Sequence, residues 1–267
     1  MTEKLMEIRD VTQRFRSAER EVVAVSRVSV QVDAGSVTCL VGESGSGKTT
    51  LARIAAGLDK PTAGSIHYQG QDISQLRGPG FMRFRREVQY VHQDPYASLN
   101  PTRTVLSTVL SALGARRNRT RRRATELLER VELTPADLFL ERYPHQLSGG
   151  QRQRVALARA LATEPALIIA DETTSMLDAS IRGSMINLLS ELRDDLGVGF
   201  LFITHDFTLA RHFAWRGRTA VLYLGELVEY GPTPEVMDAP KHAYTKALID
   251  ALPMIRFDDA DVPDGAP

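Results

Sequence analysis

Apolar and polar positions alternate along the first 41 residues, so MEIRDV (6–11), EVVAV (21–25) and VSVQV (28–32) are predicted as short strands with turn chemistry between them. Ala34-Gly35 marks one such turn. The apolar run TCLV (38–41) reads as a strand that ends at a glycine-rich loop, and the helical stretch TTLARIAAGL (49–58) follows. That is a strand–loop–helix unit. PTAG (61–64) punctuates before a strand at SIHYQG (65–70), and VQYVHQ (88–93) runs from strand into loop. From Asp94 to Leu147 the pattern changes to helical periodicity, with Leu127, Leu128 and Val131 on one face, which predicts a helix-rich insertion. ALIIA (166–170) is a short buried strand. The amphipathic helix after it carries Ile181, Met185, Leu188, Leu189, Leu192 and Leu196 on its core side. GFLFIT (199–204) is a further buried strand, and TAVLYLGELVEYG (219–231) reads as a hairpin with Gly225-Glu226 in its turn. Strands alternating with helices imply an α/β fold around a mostly parallel sheet covered on both faces. The acidic, Pro- and Gly-containing stretch after Met254 is expected to fray.

Composition narrows the classes. The chain has 267 residues, 33 basic and 33 acidic, so its formal net charge is zero and bulk electrostatics favours neither nucleic acid nor membrane. With 43% apolar and 25% charged residues, disordered, collagenous and coiled-coil classes are excluded. No apolar run approaches the ~20 residues of a spanning helix. MTEKLMEIRD holds no apolar stretch that could serve as a signal peptide. The single cysteine, Cys39, excludes an internal disulfide and is expected to be buried core in a reducing compartment. These features read as a cytoplasmic, self-sufficient enzyme.

Candidate chemistry begins at Gly42-Glu43-Ser44-Gly45-Ser46-Gly47-Lys48-Thr49, which matches G-x-x-x-x-G-K-[ST] without a mismatch. Glycines let the backbone curl so that successive N–H groups point at an anion, and the next helix adds its positive end. Lys48 then reaches the β- and γ-phosphates, and the Thr49 hydroxyl can ligate Mg²⁺; Thr50 follows as part of the same cradle. ALIIADE puts Asp171 at the carboxyl end of an apolar strand, where open α/β sheets gather ligands. Asp171 would hold Mg²⁺ there, and Glu172 could polarise an attacking water as general base. These two centres define a P-loop NTPase.

LSGGQRQRVALARAL (147–161) narrows this further, because it resembles the signature of ATP-binding-cassette (ABC) ATPases. Gln93 after a strand, Ser175-Met176-Leu177-Asp178 after the acidic pair, and His205 in ITHD stand in the same order as in that family. Alone, a loop glutamine is ordinarily solvent-facing and a strand-end histidine structural; their order relative to the two motifs reverses that. The resemblance spans residues 5 to 253. It implies a RecA-like core with an N-terminal antiparallel β-subdomain and an inserted α-helical subdomain. The expected division is 1–93 and 161–235 for the core, 94–160 for the helical part and 236–267 for a C-terminal extension. It further implies a head-to-tail pair with ATP between subunits. Phe15 would stack on adenine, and Gly42, Ser44, Gly45, Gly47, Lys48, Thr49 and Thr50 would hold the triphosphate. Ser148, Gly149, Gly150 and Gln151 of the other subunit would close on the γ-phosphate, with Asp178 crossing the interface. His205 would hold γ-phosphate and water, and Gln93 would touch Mg²⁺ or that water while coupling to the insertion.

DPYASLNPTRTV after Gln93 and YGPTPEVMDAPKHAYTKALIDALP near the C-terminus resemble the ATPases of oligopeptide and dipeptide importers, second-subunit type. That resemblance implies membrane permease subunits, a sister ATPase in preference to a second copy, and, indirectly, an extracytoplasmic solute-binding protein. The expected place is the cytoplasmic face of the membrane, peripherally. Nickel or oligosaccharide import is the alternative, and a non-transport ABC ATPase acting on nucleic acid or ribosomes is the remote one. Thr173 and Met176 stand where that family has Pro and Ala, and His242-Ala243-Tyr244-Thr245 replaces His-Pro-Tyr-Thr. No cysteine follows it, so an iron–sulfur cluster is not expected. RRNRTRRR (116–123) reads as a solvated face of the insertion, with contact to acidic lipid headgroups or a permease loop as the alternative; no aromatic interleaves it, which argues against a nucleic-acid patch.

Overall fold

A computed structural model describes residues 4–16, 21–94, 98–113, 120–174 and 178–251. Ser175, Met176, Leu177, residues 95–97 and 116–119, and the segment expected to fray lie outside the described residues. Among the described residues the strands form two sheets. The smaller is antiparallel, in the order β2 (Glu21–Asp33), β1 (Lys4–Arg16), β4 (Ala63–Tyr68), β5 (Gln71–Asp72). The larger runs β10 (Glu226–Pro232), β9 (Arg218–Tyr223), β3 (Val37–Val41), β8 (Gly199–Ile203), β7 (Leu167–Asp171), β6 (Val88–Val91). Its pairings are parallel except for β9 with β10.

Helices α1 (Lys48–Ala55) and α2 (Gly78–Glu87) precede β6. Between β6 and β7 come α3 (Val105–Leu113), α4 (Arg121–Arg130), α5 (Asp137–Leu140) and α6 (Gly149–Leu161). After β7 come α7 (Ala179–Leu196), α8 (Phe207–Phe213), α9 (Thr233–Asp238) and α10 (Ala243–Asp250). None of the described helices is long and apolar enough to cross a membrane.

The large sheet divides the interior, because successive side chains on a strand face opposite ways. Leu40, Leu167, Ile169, Leu201 and Ile203 pack with Leu51 and Ile54 of α1 and with the antiparallel sheet. Cys39, Val41, Ile168, Phe200 and Phe202 pack against α6, α7 and α8. Each fully buried Leu, Ile or Phe contributes ~1.5–3 kcal/mol, so both faces tie β3 in place.

Three expectations need correction. The predicted breaks in the first two strands are not breaks: β1 and β2 are continuous ribbons of 13 residues each. Their pairing slips between Ile8 and Val11, with Asp10 and Arg27 both at φ 48. Ser29 Oγ accepts from the Asp10 N–H at 2.8 Å and Thr12 Oγ1 from the Arg27 N–H at 3.0 Å, so side chains satisfy the bulged backbone. In the hairpin, Tyr223 pairs with Glu226, so the turn is Leu224-Gly225, with φ of 47 and 84, and Glu226 belongs to the returning strand. On α7, Met185, Leu188, Leu189 and Leu192 are buried as expected, but Leu196, the last helical residue, is 43% exposed.

The described part of the arginine run starts α4. Thr120 Oγ1 accepts from the Arg123 N–H at 3.2 Å as the helix cap. Arg121 pairs with Glu141 at 2.6 Å, Arg122 with Glu126 at 3.6 Å and Arg123 with Glu126 at 3.1 Å. Arginines already matched to local carboxylates fit a solvated face.

Candidate functional site

Four consecutive parallel strands deliver the candidate residues to one edge. β3 ends at the phosphate loop, β8 at Thr204-His205, β7 at Asp171-Glu172, and β6 leads to Gln93. The order β3-β8-β7-β6 therefore sets the loop, the histidine, the acids and the glutamine side by side at the carboxyl edge.

In the loop, Gly47 caps α1 with φ 100, and Leu51 N–H donates to Gly47 O at 2.9 Å. Lys48 is 4% exposed and its Nζ donates to the carbonyls of Gly42 at 2.8 Å and Glu43 at 2.7 Å. Burial pushes its ammonium below the ordinary range, opposed by the carboxylates of Glu172, Asp171 and Glu43. A largely buried cation held at the loop by two backbone carbonyls is suited to a polyphosphate.

Asp171 is 2% exposed. Its Oδ1 accepts from Thr49 Oγ1 at 3.1 Å and its Oδ2 from the Tyr90 hydroxyl at 2.5 Å. Burial holds its carboxyl above the usual carboxylate range, against the smaller pull of the two hydrogen bonds. A hydroxyl oxygen and a carboxylate oxygen converging at this distance form a hard oxygen pair, which fits Mg²⁺.

Glu172 sits one residue past the strand with φ 44, its N–H bonded to Ile203 O at 3.0 Å. That left-handed turn swings its side chain from the strand line into the site. Gln93 Nε2 donates to Glu172 Oε2 at 2.7 Å, and His205 Nδ1 lies 3.7 Å from the same oxygen. Gly42, Glu43, Ser44, Glu172, His205, Phe207 and Leu248 line a cavity of about 460 Å³.

Other candidates lie apart from that lining. Ser148 caps α6: its Oγ accepts from Gln151 N–H at 3.3 Å and Gln151 Oε1 accepts from Ser148 N–H at 2.9 Å. Gly149 and Gly150 form the first turn, so N–H groups and the helix end are displayed together. Asp178 is exposed before α7, and Phe15 is 50% exposed near the end of β1 beside Val22, itself 55% exposed. Thr50 lies half-buried in α1.

Several residues at the site had no predicted role there, Phe207 and Leu248 of the cavity lining among them. Tyr90 lies on β6 and binds Asp171. Tyr244, on α10, accepts from the Glu43 N–H at 3.2 Å and packs on Tyr223 with ring centroids 4.1 Å apart. Leu248 on the same helix reaches the cavity lining, so the C-terminal helix abuts the phosphate loop. Only their place in the folded chain marks these residues.

A phosphate loop at the end of a central strand, with an acid-bearing parallel strand close by, defines a P-loop nucleotide-binding protein. Residues 25–175 match the ABC transporter family, and residues 228–265 match the C-terminal region of oligopeptide/dipeptide transporters. The chain belongs to the ABC transporter family. It is 42% identical over 263 residues to the glutathione import ATP-binding protein GsiA of Escherichia coli K12, covering 94% of this chain and 42% of that protein. It is 41% identical, with the same coverage, to GsiA of Pectobacterium atrosepticum. The chain thus spans less than half the length of these curated relatives. Among solved structures, a dimeric post-hydrolysis state of the ATP-binding cassette MJ0796 with ADP and Pi is similar at TM-score 0.76 and 33% identity, covering 86% of this chain and 99% of that one. The structure of cbiO1 of Clostridium perfringens, part of the ABC transporter complex cbiONQ, is similar at TM-score 0.76 and 26% identity, with 89% of this chain and 92% of that one covered.

Proposed function

We propose that this chain hydrolyses ATP to drive uptake of a peptide-class solute through separate membrane permease subunits. The observation that carries the hydrolytic reading is Glu172, a carboxylate bonded to Gln93 and facing His205 one residue past Asp171. In this reading the loop 42–49 and Lys48 bind the triphosphate. Thr49 and Asp171, with Gln93, hold Mg²⁺. Bound there, the ion would neutralise charge gathering on the β- and γ-phosphoryl oxygens. Glu172 takes the proton of the attacking water, and His205 orients that water and the γ-phosphate. Phe15 stacks on the adenine.

The exposed cap residues Ser148 and Asp178 support completion of the site by a second subunit, head to tail. That subunit is read as a sister ATPase. Gln93 leads from β6 into the 94–160 insertion, so a change at the nucleotide can be passed to the permease through it. The C-terminal match and the glutathione-import relatives favour short peptides over nickel or oligosaccharides. The chain then works peripherally at the cytoplasmic face of the membrane, served by an extracytoplasmic solute-binding protein and binding no nucleic acid.

Glu172→Gln tests this. It keeps the hydrogen-bonding shape and removes the base, which typically costs ~10²–10⁴-fold in rate. ATP binding is expected to persist while turnover collapses and an ATP-bound pair accumulates by gel filtration. Phosphate release near the native rate would overturn the assignment.

A further inference from the structure

Tyr90 contacts the acid at the centre of the site yet belongs to neither sequence motif. Its hydroxyl donates to Asp171 Oδ2 at 2.5 Å, while Thr49 Oγ1 donates to Oδ1 at 3.1 Å. Building on the nucleotide-binding reading above, we propose that Tyr90 is a positioning residue: it fixes the Asp171 carboxylate so that Thr49 is aimed at a divalent cation.

A threonine hydroxyl has one proton and two lone pairs. Giving the proton to Asp171 Oδ1 leaves the lone pairs free to face a cation. That aim lasts only while Oδ1 stays in place. A carboxylate turns easily about its last bond, since that torsion is broad and two-fold. A second donor on the opposite oxygen stops the turn. Tyr90 supplies it without adding a positive charge that would compete with a cation.

The tyrosine is itself held. Its ring packs against the apolar cluster beneath the large sheet and meets His92 edge-on, with centroids 4.6 Å apart. It stands on β6, paired in register with Ile169 of β7, two residues before Asp171. The hydroxyl is therefore placed by the sheet and not by the mobile end of a long side chain. A phenol is protonated at neutral pH, so its hydroxyl has a proton to donate.

Tyr90→Phe in the full chain removes the donor and keeps the ring. Metal binding would be read by titrating Mn²⁺ into the ADP-loaded protein by electron paramagnetic resonance, and by the Mg²⁺ midpoint for binding a fluorescent ATP analogue. Losing one hydrogen bond to a charged group should raise both midpoints about 5–50-fold. Nucleotide affinity in EDTA, and turnover at saturating Mg²⁺, should each stay within about threefold of the parent. Midpoints within twofold of the parent, or an equal loss in EDTA, would overturn the proposal. Tyr90→Met, which also lacks the donor, serves if the phenylalanine variant does not fold, with the same expected shift. Thr49→Ala separates the two readings: if it leaves Mg²⁺ dependence untouched, the metal assignment itself fails, whatever Tyr90 does.

Discussion

Alanine at Gly47 puts the geometry of the phosphate loop to a quantitative test. Gly47 has φ +100, and a Cβ there would lie 2.3 Å from the carbonyl oxygen of Ala24 on β2. Restoring ordinary contact requires the loop and the start of α1 to retreat from β2 by roughly 1 Å, a shift that close-packed interiors resist. Gly45 is the internal control: its φ is +82, but a Cβ there meets nothing within 4 Å. Both variants bear the left-handed strain of a non-glycine residue, about 1–2 kcal/mol. Only Gly47→Ala adds overlap, about 1–3 kcal/mol more. At roughly 2–4 °C per kcal/mol for a chain of this size, Gly45→Ala should melt about 2–8 °C below the parent and Gly47→Ala about 4–20 °C below. The assay is thermal denaturation without nucleotide, followed by titration with a fluorescent ATP analogue. Because a 1 Å displacement of binding groups is costly, Gly47→Ala should also lose about tenfold or more in nucleotide affinity. If both variants melt alike and Gly47→Ala binds normally, the loop does not press on β2 and the reasoning fails.

Two further outcomes concern residues around the site. Burial, with Asp206 nearby, pushes the Cys39 thiol far above its ordinary range, so it should not react with a thiol reagent in the folded protein and should react fully in denaturant; labelling at the native rate of a free thiol would mean that β3 opens readily. Tyr244→Ala removes the stack on Tyr223 and the contact with Glu43, and amide exchange across 243–250 should quicken while β3 and β8 keep their protection; unchanged exchange in 243–250 would show that other contacts dock this helix.

What the sequence revealed followed the range over which its signals act. The phosphate loop is contiguous, and its glycines, lysine and threonine sit in fixed order, so eight residues sufficed. The place of Asp171 at the end of a strand was legible because an apolar run led to it. The two long strands were not, since Asp10 and Arg27 interrupt alternation in the way a turn does, and only pairing to Ser29 and Thr12 shows a bulge. The hairpin turn slipped by one residue because Leu224 is an uncommon choice for a positive φ. Tyr90 carries no local mark, and the stretch around Tyr244 does not show that it reaches the phosphate loop. Each becomes part of the site through a partner distant in sequence, Asp171 81 residues away and Glu43 201 residues away.

The backbone at Glu172 has a consequence for how this protein can change. A residue with a side chain at φ 44 is held in a conformation that glycine adopts freely, at a cost of order 1 kcal/mol or more. Selection for heat resistance alone would thus favour glycine at 172, the substitution that deletes the carboxylate. With the general-base role proposed for Glu172, durability and turnover would pull in opposite directions at this one position.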